Sequence, residues 1–224
     1  MFFISQNKKS LTCGTTKGFT LAELLVSIGI MIVITSTVLF NQSSYTSAIS
    51  LTNLANDISL TIRQAQIYGV SVKQLQAGSN DFSSAYGVEF NTSSTGDPTG
   101  GSYIFFADRG VSKNGYYDGT WDCPVGGASE CLQKIMTTSG NTISQLCILR
   151  TNDNGVCSGN PAMLVNMIAI TFLRPSNTAN IVFFNNGGQV PNPSNIQGAQ
   201  ITVSSPTGLT HSVVVYTTGQ ISVK

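Results

Sequence analysis

The chain has 224 residues, which is long enough for one globular domain with its own core but short for two. Charged residues make up only 9% of it, far below the roughly 25% of an average soluble protein, and the formal net charge is +1. A chain with so little positive charge has no strong attraction for a polyanion, so its composition argues against nucleic acid as a partner.

The first predicted element is an apolar segment at residues 19–40, in which Glu23 is the only charge. Its length is about that of a helix that crosses a bilayer, so the sequence predicts a transmembrane segment. Three lysines precede it within residues 1–17 and no cation follows before Arg63. The positive-inside rule therefore places the N-terminus in the cytoplasm and the rest outside. A secretory signal peptide would have a shorter apolar core. A plain single-span anchor gives no reason for the acid, since intramembrane carboxylates usually have a partner.

The residues KGFTLAE at positions 17–23 resemble the prepilin signature of type IV pilins and type II secretion pseudopilins. The resemblance implies that a membrane prepilin peptidase removes a leader, residues 1–18, by cutting after Gly18 and then N-methylates Phe19. It also implies that Glu23 pairs with the terminal amine of a neighbouring subunit in a fibre. Such a pairing would compensate a carboxylate buried at low dielectric. Without the leader the chain keeps eight cations and ten acids, a net charge of −2.

Residues 41–78 predict an amphipathic continuation of this helix. Apolar side chains recur there at steps of three and four residues, at Leu51, Leu54, Ile58, Ile62 and Ala65. We expect this face to pack on a β-sheet. The sequence LANDISLTIRQAQIYGVSVK, at residues 54–73, further resembles the corresponding helix of H-type (FimT-like) minor pseudopilins.

Residues 79–224 predict a β-rich domain outside the cytoplasm, because short runs of strand-forming residues alternate with turn residues. The runs are AYGVEF, SYIFFA, ISQLCIL, MLVNMIAITFL, NIVFF, AQITVSS, SVVVYTT and QISVK. A helix followed by consecutive strands indicates the α+β class with an antiparallel sheet. The resemblance implies a pilin-like layout, in which the long N-terminal helix packs on that sheet. The stretch at residues 110–140 reads as an irregular, glycine-rich insertion.

Five cysteines become four once Cys13 is assigned to the leader, and an even number suits disulfides in an oxidising compartment. Four unpaired thiols would instead fit a reducing compartment. Four cysteines allow three pairings. We favour the two that close short local loops, Cys123 with Cys131 and Cys147 with Cys157.

The sequence predicts no enzyme, cofactor or metal site. The single histidine, His211, lies in a β-rich run, and no nucleophile elbow, phosphate-binding loop or cluster with metal-ligand spacing is present. The oxygen-rich segment at residues 108–119 has ligands that calcium prefers, but it lacks EF-hand spacing, so we favour a polar connection between strands.

Two functions follow from these expectations. The first is a structural minor pilin or pseudopilin of a type IV pilus or type II secretion-like fibre. Its partners would be the prepilin peptidase, other subunits and the inner (cytoplasmic) membrane, which it would cross once before entering the fibre. The alternative is a pilus-tip receptor that binds DNA for uptake. That function needs cations near the C-terminus, where only Lys224 follows Arg174.

Overall fold

The computed structural model describes residues 18–71, 84–93, 96–109, 113–124, 129–151, 153–157, 165–185, 188–190 and 195–224. The chain divides into two compact units, Met1–Ser43 and Ser44–Lys224. Helix α1 contributes to both units, and strands β1 to β11 belong to the second. The elements are α1 (Leu21–Val70), β1 (Ala85–Asn91), β2 (Ser102–Asp108), β3 (Cys131–Met136), β4 (Thr142–Arg150), β5 (Asp153–Cys157), β6 (Met167–Phe172), β7 (Ala179–Asn185), β8 (Gly188–Gln189), β9 (Ile196–Ser204), β10 (Thr210–Tyr216) and β11 (Ile221–Val223).

The part of α1 that lies in the second unit buries the apolar face predicted from the sequence. Leu51, Ile58, Ile62 and Ala65 are completely buried and Leu54 is 4% exposed. These side chains recur at helical spacing, so burying them on one side fixes the face of the helix that meets the strands. The helix ends at Val70. Residues 72–78, over which the sequence predicts the helix to continue, lie outside the described residues.

The strands form two antiparallel sheets, so the predicted α+β class is confirmed. The first sheet has six strands in the order β3-β2-β1-β6-β7-β8, and the second has five in the order β11-β10-β9-β4-β5. The strand runs in the sequence predict an antiparallel sheet, but they do not predict its division into two sheets. One apolar core joins side chains of α1 with side chains of both sheets, including Ile58, Phe90 and Val213.

The centre of the first sheet is buried on both faces, since every residue of β1 and β2 is buried. Tyr103 and Phe105 point into the main core, while Ile104 and Phe106 belong to a second apolar cluster on the outer face. Phe106 pairs in register with Gly87 of β1. A Cβ at Gly87 would lie 2.9 Å from Phe106 Cζ and 2.5 Å from Thr171 Cγ2, so only glycine leaves room for this packing.

One expectation from the sequence is wrong. Residues 110–140 do not form a wholly irregular insertion, because Cys131–Met136 is a strand that pairs with β2 at the edge of the first sheet. Its side chains are mostly exposed or half-buried, as expected at a sheet edge. The mixed apolar and polar residues of CLQKIM therefore have only a weak strand propensity. The segment forms a strand because it pairs with the buried strand β2.

Candidate assembly site and a buried carboxylate cluster

The residues predicted for cleavage lie directly before α1. Gly18 and Phe19 have no regular structure, and the Phe19 side chain is 84% exposed. A Cβ built on Gly18 meets no atom within 4 Å. The described residues therefore leave the side-chain position of Gly18 uncrowded. Residues 1–17, the rest of the predicted leader, lie outside the described residues.

Glu23 closes a capping box at the first turn of α1. Thr20 N and Thr20 Oγ1 each donate to Glu23 Oε2 over 3.1 Å, and Glu23 N donates back to Thr20 Oγ1 over 3.2 Å. This is the S/T-x-x-E arrangement, in which two side chains satisfy backbone N–H groups that have no partner within the helix. A carboxylate is also favoured at a helix N-terminus by the helix dipole. The capping role of Glu23 was not predicted from the sequence, although the spacing from Thr20 to Glu23 indicates a capping box.

The apolar part of α1 presents unburied apolar side chains in every direction. The segment Leu21–Leu39 is the one helix in the described part of the chain that is long and apolar enough to cross a membrane, and none of it is buried. Its hydroxyl groups turn back on their own helix, where Ser27 Oγ donates to Glu23 O over 2.7 Å and Thr35 Oγ1 to Met31 O over 2.6 Å. These hydroxyl groups therefore have their hydrogen-bond partners within the helix, as an apolar environment requires.

The structure contains the disulfides Cys123–Cys131 and Cys147–Cys157, the pairing that the sequence analysis favours. The second joins directly paired positions of β4 and β5. The first joins β3 to residues 113–124, which we call the strap. The strap crosses the outer face of the first sheet, where Tyr117 packs on Phe106 with ring centroids 5.9 Å apart.

Three buried carboxylates hold the strap through its backbone. Glu89 Oε2 accepts from Tyr117 N over 3.0 Å, Asp108 Oδ2 accepts from Gly115 N over 2.8 Å, and Glu130 Oε2 accepts from Asp118 N over 3.0 Å. Glu130 Oε1 also accepts from the backbone of Arg109. The three carboxylates are 2%, 2% and 7% exposed, respectively. They come from β1, β2 and the residue before β3, so the first sheet brings together acids that are far apart in sequence.

Burial perturbs all three acids in the same direction. Loss of hydration raises the pKa of Glu89 to about 8, against a smaller opposing effect of the Tyr117 N–H. The pKa values of Asp108 and Glu130 are raised as well, again chiefly because burial disfavours the ionised form. The Asp108 Oδ1 atom is buried without a hydrogen-bond partner. An ionised carboxylate is therefore costly at each of these positions.

The sequence analysis placed no function on Glu89 or Glu130. In β1, Glu89 alternates with Val88 and Phe90, and this pattern normally puts the polar residue on a solvent face. The sequence of the neighbouring strand β2 does indicate that Glu89 is buried. SYIFFA is apolar on both faces, and Glu89 pairs in register with Ile104, so a cover over Ile104 also covers Glu89.

The described residues do not form a metal centre. They contain no group of three or more His, Cys, Asp or Glu side chains arranged to hold an ion. Within the oxygen-rich segment, Asn114 Nδ2 donates to both carboxylate oxygens of Asp118, and Asp108 accepts from Gly115. His211 bridges two elements, with Nε2 3.3 Å from Thr52 Oγ1 and Nδ1 3.1 Å from Lys224 O. His211, in β10, thus links Thr52 of α1 to Lys224, the residue after β11.

Comparisons of the chain with models of known protein families, with curated proteins and with solved structures found no match.

Proposed function

We propose that this chain is a structural subunit of a type IV pilus or type II secretion-like fibre, and specifically a minor pilin or pseudopilin. It is made as a precursor, cut after Gly18 by a prepilin peptidase and N-methylated at Phe19. It then crosses the cytoplasmic membrane once, with Ser44–Lys224 outside. From there it enters the fibre through the apolar part of α1.

The observation that carries this proposal is the start of α1. The unburied apolar segment Leu21–Leu39 of α1 begins two residues after Phe19, the only acid of this segment lies in its first turn, and the KGFTLAE sequence at residues 17–23 surrounds the proposed cut. A single-span anchor needs the apolar helix alone. A subunit that assembles needs in addition a new amine at Phe19 and a carboxylate within reach of a neighbour's amine, and this segment supplies both.

The second unit supports an extracytoplasmic location. It contains both disulfides, and such bonds persist in oxidising compartments and are rare in the cytoplasm. The positive-inside rule gives the same orientation, since lysines precede the apolar segment.

The proposal is tested by the N-terminus of the protein in purified native fibres. Mass spectrometry should find N-methylated Phe19 as the first residue. Gly18→Leu should accumulate as membrane-bound precursor, because the added side chain occupies the position next to the cleaved bond. Gly14→Leu, which changes the other leader glycine, is the matched control and should be processed like wild type. Fibre-incorporated protein that begins at Met1 would contradict the proposal.

A further inference from the structure

The strap covers an apolar surface that would otherwise face solvent. Beside the contact between Tyr117 and Phe106, Tyr116 packs edge-on against Phe184 with ring centroids 4.9 Å apart. Trp121 Nε1 donates to Ser102 Oγ over 3.0 Å. The disulfide from Cys123 to Cys131 tethers the far end of the strap to β3. These contacts give the strap a defined seat on the first sheet.

The middle of the strap is attached to that seat chiefly through acids. The N–H groups of Gly115, Tyr117 and Asp118 each meet a different carboxylate, and each of these carboxylates lies on the sheet side beneath the strap. Lifting the strap would expose Glu89, Asp108 and Glu130 to water together. Opening of the strap and ionisation of these three acids are therefore coupled, because the strap covers the acids.

We propose that the strap is a proton-sensitive closure, held more tightly against the first sheet at acidic pH than at alkaline pH. Closing the strap buries three carboxyl groups at once, and a neutral carboxyl group tolerates that burial better than an ionised one. This inference does not depend on the proposed fibre function, because it concerns the second unit alone.

The sign of the effect follows from linkage. In the closed strap the pKa of Glu89 is raised to about 8, whereas in an opened strap the hydrated side chain has an ordinary value near 4.5. The closed state therefore binds a proton that the open state releases throughout the interval between these values. Stabilisation of the closed state is fully present below the ordinary value and is lost as the pH rises through about 8.

The neighbouring charges reinforce this direction with one exception. Asp118, on the strap itself, raises the pKa of all three buried acids, and Glu130 adds to the effect at Glu89. Asp108 likewise raises the pKa of Glu130. Lys113 opposes them by lowering the pKa of Asp108. The acidic groups outnumber this cation, so ionisation of any one carboxylate is opposed by the others.

The test is hydrogen exchange of peptides covering residues 113–124 in the full-length chain, held in detergent micelles with its disulfides intact during labelling. After correction for the intrinsic exchange rate, the opening constant of the strap should rise about tenfold per pH unit between pH 5.5 and 7.5. Glu89→Gln keeps the acceptor for the Tyr117 N–H and removes the ionisation. It should flatten this slope and open at least tenfold less than wild type at pH 7.5.

Asp57→Asn is the matched control, since Asp57 is an exposed acid on α1 that is not among the charges acting on the three buried acids, and it should keep the wild-type slope. Trp121 is the chain's single tryptophan, so its emission reports whether the strap is seated in each variant. An opening constant independent of pH in the wild type would overturn the proposal, whether or not Glu89→Gln folds. A wild-type slope in a folded Glu89→Gln variant would overturn it as well.

Discussion

Glu23 and Glu89 are two glutamates in apolar segments of one chain, and they occupy opposite environments. Glu23 lies in the first turn of α1, in the segment Leu21–Leu39 that has no burial in the chain, and it accepts hydrogen bonds from Thr20 in its own turn. Glu89 lies in the middle of a buried strand, 2% exposed, and accepts a hydrogen bond from the Tyr117 N–H of the strap. Both carboxylates meet backbone N–H groups, but of the two only Glu89 is removed from water within the folded chain.

The charges of Glu23 and Glu89 should therefore act at different stages. The desolvation of Glu89 is already present in the single subunit, so its ionisation is linked to closing of the strap. Glu23 would be desolvated only when other helices surround it, so its charge should matter for assembly and leave folding of the subunit unchanged. Substitutions in the two regions should therefore change different measurements, stability in one case and recovery from fibres in the other.

The largest effect on subunit stability should come from the covered face of the first sheet. Phe106 is fully buried beneath the strap, so Phe106→Ala should lower the free energy of unfolding of the second unit by about 3–5 kcal/mol. Ile30→Ala removes an apolar side chain that is 57% exposed on the segment Leu21–Leu39, and it should leave that free energy within about 0.5 kcal/mol of wild type. Denaturant unfolding in micelles measures both. Equal losses would remove the contrast between the regions.

A smaller loss should follow removal of the disulfide that tethers the strap. Replacing Cys123 and Cys131 by serine frees a loop with a sequence separation of 8, which corresponds to about 2–3 kcal/mol in the chain-entropy model. Acrylamide should then quench Trp121 more efficiently, because the strap loses its tether to β3.

The control removes the other disulfide, Cys147–Cys157, which lies in the second sheet. Serine at both of these positions should also lower stability, but Trp121 quenching should remain as in the wild type. Unchanged quenching after loss of Cys123–Cys131 would show that the strap stays seated on the sheet without this tether.

Much of the fold could be predicted because its signals are local. The apolar run at residues 19–40 and the helical spacing of Leu51, Ile58 and Ile62 depend on side chains within a few turns, and strand runs such as NIVFF carry their own propensity. The short separations within Cys123–Cys131 and Cys147–Cys157 made local pairing the favoured choice. The KGFTLAE sequence at residues 17–23, which resembles a prepilin signature, is likewise a local signal.

The rest depends on contacts between distant residues. β3 becomes a strand because β2 offers it a partner, and Glu89 is buried because residues 113–124 return across the sheet. Neither fact is encoded near the residue concerned, since alternation along β1 alone places Glu89 on an exposed face. The split into two sheets has the same cause, because β4 pairs with β9, which lies far along the chain.

The central claim is that the charge of Glu23 acts mainly in assembly and contributes only a small helix-dipole stabilisation in the isolated chain. Glu23→Gln is informative because glutamine keeps the capping box with Thr20 and removes only the charge. Thr20→Val is the matched control, since it removes the hydroxyl of the box and keeps the charge. The measurement compares leader cleavage, membrane level and amount in sheared fibres, with each variant expressed equally in cells that lack the wild-type copy. We predict that Glu23→Gln is inserted and cleaved like wild type but is recovered from fibres at least tenfold less, while Thr20→Val is recovered at near wild-type amounts. Recovery of Glu23→Gln at wild-type amounts, with Thr20→Val reduced, would contradict the account and leave helix capping as the role of Glu23.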